Sequence, residues 1–192
     1  MHRFALLLAL VLVLPGIATA QRSNTEGLRL HFQLNATAID ANEEGSGTDN
    51  GGGAGLGIGY GFSRLFTLYL DVDGSLMNAE ALDEYALAHA DLGARFHFGP
   101  PRRPTIPYLN AALTGWALGY ETRVGTFSAS GSGVTLGGGL LVFLSRVVAI
   151  DLGLGVTFGS FTSIKLGGIS IDTDEEATSA RLGIGLTYFR GR

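Results

Sequence analysis

The sequence predicts an all-β protein, eight antiparallel strands closed up-and-down into one barrel. Three observations predict it. Apolar and small or polar residues alternate with period two in eight separate segments. Glycine, 30 of 192 residues, stands opposite large apolar residues instead of marking linkers, as in Gly55-Leu56-Gly57-Ile58-Gly59-Tyr60-Gly61-Phe62. The connections alternate between short turns and long polar stretches.

The first strand is expected over Gly27 to Asp40, with Leu28, Leu30, Phe32 and Leu34 on one face and Arg29, His31, Gln33 and Asn35 on the other. The second, Gly53 to Phe62, sets Leu56, Ile58, Tyr60 and Phe62 against glycines. The third, Leu65 to Leu76, sets Phe66, Leu68, Leu70 and Val72 against Thr67, Tyr69, Asp71 and Asp73. In the fourth, Tyr85 to Phe98, alanines, Leu92, Phe96 and Phe98 oppose His89, Asp91, Gly93, Arg95 and His97. The fifth, Ile106 to Tyr120, alternates less cleanly, with Leu109 and Leu113 facing away from Tyr108, Asn110, Thr114 and Trp116. The sixth is Gly133 to Leu144 and the seventh Val147 to Phe158, where Asp151 and Thr157 oppose valines, leucines and Phe158. The eighth, Ala177 to Phe189, sets Leu182, Ile184, Leu186 and Tyr188 against Arg181, Gly183, Gly185 and Thr187.

Short turns fall at Ser63-Arg64, Gly99 to Thr105 and Ser145-Arg146; longer loops are expected at Ala41 to Gly52, Met77 to Glu84, Glu121 to Ser132 and Gly159 to Glu176. Two Ser-Arg hairpins, 82 residues apart, make a weak internal repeat of half a barrel. Even strand number with short turns on one side and long loops on the other is the pattern of a transmembrane barrel. A soluble lipocalin-like binder also alternates, but its outer face must be polar. Here an inward apolar face would overfill a small lumen and leave an exterior of glycine. Turned outward into lipid, the same residues leave small and polar groups to fill a narrow interior, and closure leaves no unpaired backbone edge. Phe62, Phe66, Phe96 and Phe98 near the short turns, and Tyr85, Tyr120, Phe158 and Phe161 near the long loops, suit interfacial girdles.

Residues 1–20 read as a cleaved secretory signal: His2 and Arg3, an apolar run from Phe4 to Leu14, then Ala18-Thr19-Ala20. The run is shorter than the roughly 20 apolar residues of a spanning helix. Residues 21–192 are expected to form one barrel domain. Loss of Arg3 takes the formal net charge from −4 to −5, which disfavours nucleic acid as a partner. With no cysteine, thiol-based metal and redox chemistry is excluded.

The Ala18-Thr19-Ala20 site, the Gly-alternating strands, Pro107-Tyr108-Leu109 opening the fifth strand and the pattern of the last strand together resemble the outer-membrane β-barrel domain family of Gram-negative bacteria, which includes the OmpA-type transmembrane domain and OmpX-like small barrels. The resemblance covers the whole mature chain. It implies residence in the cell outer membrane among its lipid and lipopolysaccharide. It also implies an insertion signal in the last strand, read by the barrel assembly machinery, onto which Gly183, Leu186 and Tyr188 map, with Phe189 beside them. Arg190-Gly191-Arg192 after the aromatic departs from that pattern. No wall-anchoring peptidoglycan domain is expected.

By parity Arg29, Asp71, Asp73, His89, Asp91, Arg95, Asp151 and Arg181 share the lumen face, with Asp71 and Asp73 across a hairpin from His89 and Asp91. Buried charges persist chiefly when paired, so an ion-pair network filling the lumen is expected. The alternatives are a cation site and a narrow small-solute channel. Twelve of the seventeen acidic residues fall in the expected long loops or at their edge: Asp40, Glu43, Glu44, Asp49, Glu80, Asp83, Glu84, Glu121, Asp172, Asp174, Glu175 and Glu176. They form a solvated acidic rim, or one recruiting divalent cations. The opposite side carries Arg64, Arg102, Arg103, Arg146, Arg190 and Arg192. A lipid A-modifying enzyme would need His, Ser and an acid near the outer interface. His31, His89 and His97 have no such neighbours in sequence, so no catalytic, cofactor-binding or metal-ligating residue is assigned, and no cofactor. A structural or interaction barrel is the expected function. The protein is expected in the outer-membrane fraction, migrating differently on gels unheated and boiled. A soluble protein without that shift would point to the lipocalin-like binder.

Overall fold

A computed structural model describes residues 23–40, 47–78, 84–100, 103–122, 125–166 and 169–191. The expected signal at residues 1–20 lies outside them, as do Glu43, Glu44, Glu80, Asp83, Arg102 and Arg192. Eight strands follow in order: β1 Gly27–Asp40, β2 Asp49–Ser63, β3 Phe66–Asn78, β4 Tyr85–His97, β5 Thr105–Thr122, β6 Gly125–Phe143, β7 Val148–Leu166 and β8 Ile169–Arg190. Every neighbour pairs antiparallel, and β8 pairs back onto β1 from Leu28↔Arg190 to Asp40↔Thr178, so the barrel is closed. The eight-stranded up-and-down architecture is the one the alternation predicts.

The two faces of the wall separate as the sequence requires. Leu30, Phe32, Leu56, Leu70, Leu113, Leu136, Leu154 and Ile184 are exposed on the outside. Arg29, Asp73, His89, Arg95, Asp151 and Thr187 are buried inside. On β7 the apolar band runs from Val148 to Phe158. Ten steps of about 3.3 Å, reduced by a strand tilt of about 40°, give a height of roughly 25 Å, the apolar thickness of an outer-membrane barrel. Tyr60, Phe62, Phe66 and Phe96 form a continuous chain of ring contacts at the short-turn end, with centroids 5.1 to 6.1 Å apart.

Inner glycines let large side chains lie flat across the wall. A Cβ on Gly57 would overlap the Asp71 carboxylate. One on Gly139 or Gly153 would come within 2.6 or 2.9 Å of the Tyr108 hydroxyl. The period-two glycines are therefore sockets for the residues that fill the lumen.

Two expectations need correction. The stretches Glu121 to Ser132 and Gly159 to Glu176 are not loops. β5 and β6 pair as far as Thr122↔Gly125, and β7 and β8 as far as Leu166↔Ile169. Asp172, Asp174, Glu175 and Glu176 therefore stand on a strand. Beyond the apolar band the outer face meets water, so the lipid-facing contrast that marks a strand in sequence disappears while the hydrogen-bond ladder continues. A register shift between Phe161 and Ser163 accompanies the change. The wall is consequently uneven among the described residues, since β1–β2 pairs only to Ile39↔Asp49 and β3–β4 only to Met77↔Tyr85. Second, the lumen face is small and polar only in its middle; Met77, Leu87, Leu141, Phe143 and Phe189 are apolar and buried.

Leu70→Arg, in the middle of the apolar band, is expected to lower folding stability in bilayers by about 2–4 kcal/mol. Ile171→Arg, at a position also exposed but on the extension beyond the band, should change it little. Urea titration of the two variants in lipid vesicles measures the difference.

The charged lumen as candidate functional site

The eight sequence-selected lumen residues come from five strands, and the register brings them into two groups. On β3 and β4, Asp71 stands opposite Asp91, and Asp73 opposite His89. Like charges directly across a ladder repel, and each carboxylate is drawn to a different guanidinium. Arg29 reaches across β2, over Gly57, to hold Asp71 in a bidentate pair at 2.7 and 3.2 Å. Arg181 of β8 crosses the lumen and bridges Asp73 at 2.6 Å and Asp91 at 2.8 Å. Asn35 donates to Asp73 at 3.0 Å, and His89 Nδ1 lies 3.5 Å from the same carboxylate.

Nearer the short turns, Arg95 pairs with Asp151 at 2.7 Å while its guanidinium stacks 3.8 Å over the Tyr108 ring. The Tyr108 hydroxyl donates to Asp151 at 2.6 Å. His31 Nδ1 lies 2.8 Å from the Thr187 hydroxyl and 3.8 Å from Asp151. The Tyr69 ring sits between the Arg29 and Arg95 guanidiniums, at 5.5 and 5.6 Å. Charge-assisted bonds of this length, bidentate where geometry permits, are the strong class.

Parity alone did not single out several partners. Thr114 donates to Asp91 at 2.6 Å and continues through Thr135 to Thr157, a hydroxyl chain across β5, β6 and β7 that Arg181 also meets. Tyr108, Asn35 and these threonines share the inward parity of the charged residues, which was the signal available. A cavity of about 60 Å³ remains among Asp71, Asp91, Arg95, Arg181 and Tyr69, room for a few waters.

Apolar layers lie on both sides of the charges. Toward the long hairpins are Ile39, Met77, Tyr85, Leu87, Trp116, Ala129, Phe161 and Ala177. Trp116 stacks on Phe161 with centroids 5.1 Å apart and donates its indole N–H to the Ser160 carbonyl at 3.2 Å. Toward the short turns are Ile106, Tyr108, Leu141, Phe143, Ala149 and Phe189, with Phe143 stacked on Phe189. His97 lies buried beside Tyr108, with ring centroids 6.3 Å apart. Of the residues suggested as an insertion signal, Leu186 and Tyr188 face outward, while Phe189 is buried in the lower layer. Among the described residues no group of three or more His, Asp or Glu is disposed to hold a metal ion.

A family profile described as "Outer membrane protein beta-barrel domain" matches residues 5–191. Among solved structures, neisserial surface protein A superposes with a TM-score of 0.69 at 16% identity, over 85% of this chain and 97% of that one. OprG of Pseudomonas aeruginosa gives 0.56 at 12% identity, over 88% and 98%. Ail, the attachment invasion locus protein of Yersinia pestis, gives 0.54 at 15% identity, over 85% and 100%. At these identities the likeness is one of fold. No curated protein matches the chain in sequence.

Arg181→Ala leaves two buried carboxylates without a cation, so stability is expected to fall by about 3–5 kcal/mol. Adding Asp73→Asn and Asp91→Asn to it should restore most of the loss. Urea unfolding in lipid vesicles, with the three variants side by side, checks both expectations.

Proposed function

Because the chain belongs to the outer membrane protein β-barrel domain family and resides in the cell outer membrane, we propose that it is a structural and interaction barrel, with a sealed lumen and an acidic face displayed outside the cell. The observation that carries this reading is the fit between guanidiniums and carboxylates in the lumen. Arg29, Arg95 and Arg181 each hold at least one aspartate at 2.6 to 2.8 Å. The apolar layers on either side, with Leu87, Met77, Leu141 and Phe189 fully buried, support closure to solutes. A small-solute channel would need water continuous past these layers. A lipid-modifying enzyme would need a lipid-facing His with Ser and an acid; His31, His89 and His97 are all buried on the lumen face.

The outer rim supports an interaction role of a particular sign. Asp172, Asp174, Glu175 and Glu176 are exposed on the β7–β8 extension. Ail has been crystallised with the heparin analogue sucrose octasulfate, a polyanion. The rim of this chain is itself anionic and would repel such a ligand, so its partners are cationic: divalent cations, which also bridge lipopolysaccharide phosphates, or a basic surface. The mature barrel of residues 21–192, freed of its signal, is delivered by the barrel assembly machinery through the last strand.

Planar-bilayer recording tests the sealed lumen. The folded protein is expected to show no stepwise conductance at moderate voltage. Steady ion-selective steps in the wild type, lost in Arg181→Ala or Asp91→Asn, would replace this reading with the channel.

A further inference from the structure

The end of the barrel opposite the acidic rim carries a second set of charges that neither the lumen nor the outer face uses. Arg64 lies in the β2–β3 turn, Arg103 in the β4–β5 connection, Arg146 in the β6–β7 turn and Arg190 at the end of β8. All four are exposed. Glu26 is the one acidic residue at this end among the described residues, and it lies 3.6 Å from Arg64. Arg103 is fixed in its turn by a backbone hydrogen bond to the Pro100 carbonyl at 3.2 Å.

Two features of the placement identify what these arginines meet. The first is height. Three follow closely on outward apolar side chains, with Phe62 and Leu65 around Arg64, Leu144 before Arg146 and Tyr188 before Arg190, while Arg103 lies in the connection that opens at the outward Phe98. A guanidinium one or two residues beyond such groups reaches the headgroup level while its methylenes stay in the hydrocarbon. The second is distribution. Three connections and one strand end, each separated from the next by two strands, place at least one cation in each quarter of the ring. An acidic protein partner would be met by a patch on one side. A set dispersed around the whole circumference faces something that surrounds the barrel, which at this height is the inner leaflet of the membrane.

We propose that Arg64, Arg103, Arg146 and Arg190 form a collar that binds the phosphate groups of anionic phospholipids in the periplasmic leaflet. Guanidinium presents paired N–H donors that match phosphate oxygens. An anionic headgroup adds a net charge that a zwitterionic one lacks, so the collar enriches anionic lipid around the barrel. With acidic side chains at the other rim, the two ends of the wall then differ in the lipid charge they accept.

The test measures the selectivity of spin-labelled phosphatidylglycerol over spin-labelled phosphatidylcholine for the protein surface, in phosphatidylcholine vesicles. The wild type is expected to prefer the anionic label severalfold in low salt, with the preference shrinking as sodium chloride rises. The quadruple variant Arg64→Gln, Arg103→Gln, Arg146→Gln, Arg190→Gln should remove most of that preference. Heat-dependent gel mobility reports whether it folds. Should it not, the two double variants Arg64→Gln/Arg146→Gln and Arg103→Gln/Arg190→Gln should each lower the preference about equally, as a dispersed collar requires. A wild type without preference, or one that all variants retain, overturns the proposal. So does arginine-dependent binding to isolated peptidoglycan sacculi without lipid selectivity, which would make the cell wall the occupant.

Discussion

Everything in this molecule follows from one requirement: a backbone amide or carbonyl inside hydrocarbon must have a partner, since no water is there to replace it. A sheet meets that requirement only by closing on itself. The β1–β8 ladder from Leu28↔Arg190 to Asp40↔Thr178 is therefore what permits the rest. Closure at eight strands fixes a narrow interior, and a narrow interior dictates what may face it. Glycines at 57, 139 and 153 make room for Asp71 and Tyr108. The remaining volume is taken by ionic groups that lipid would not tolerate and by rings that cover them.

The interior solves a second problem in a way that depends on the first. Charges removed from water must be paired closely, and in a barrel the partners come from distant strands. Arg181 and Asp73 are 108 residues apart in sequence and 2.6 Å apart in space. Such a bond can form only after the last strand has returned to its place. The charged layer therefore reports correct closure: a chain paired out of register would leave these aspartates without their guanidiniums.

The fold was legible because lipid imposes a contrast that sequence can carry. In β1 every second residue from Leu28 to Leu34 is large and apolar and every other one polar, and the strand spans Gly27–Asp40 as read. β6 was placed to begin at Gly133, yet it begins at Gly125. Gly-Thr-Phe-Ser-Ala-Ser-Gly-Ser alternates, but its outward face carries serines such as Ser130 and Ser132, so the large lipid-facing residues that mark the other strands are missing where water meets the wall. Leu141, Phe143 and Phe189 escaped for the converse reason: apolar residues read as lipid-facing unless parity is followed to the end of the strand. For Arg181 or Asp151, parity indicates the side of the wall but not the partner. That depends on tilt and stagger, which a single sequence does not encode in any local pattern. The hydroxyl chain of Thr114, Thr135 and Thr157 was hidden likewise, each residue being an ordinary strand threonine.

The uneven upper wall has its own consequence. Among the described residues β8 has no β1 partner beyond Thr178, while it stays paired with β7 down to Ile169. One strand thus passes from a seamless wall into a stretch that, among the described residues, has a ladder partner on one side only. Such margins recruit other extended chains and seed fibrous aggregation unless something discourages it. The discouragement is present in the same stretch: the register shift at Phe161/Ser163 twists the ladder, and Asp172, Asp174, Glu175 and Glu176 crowd the margin with like charge. Like charge on an edge disfavours pairing with a neighbouring copy. Neutralising them would threaten colloidal behaviour before it touched the fold.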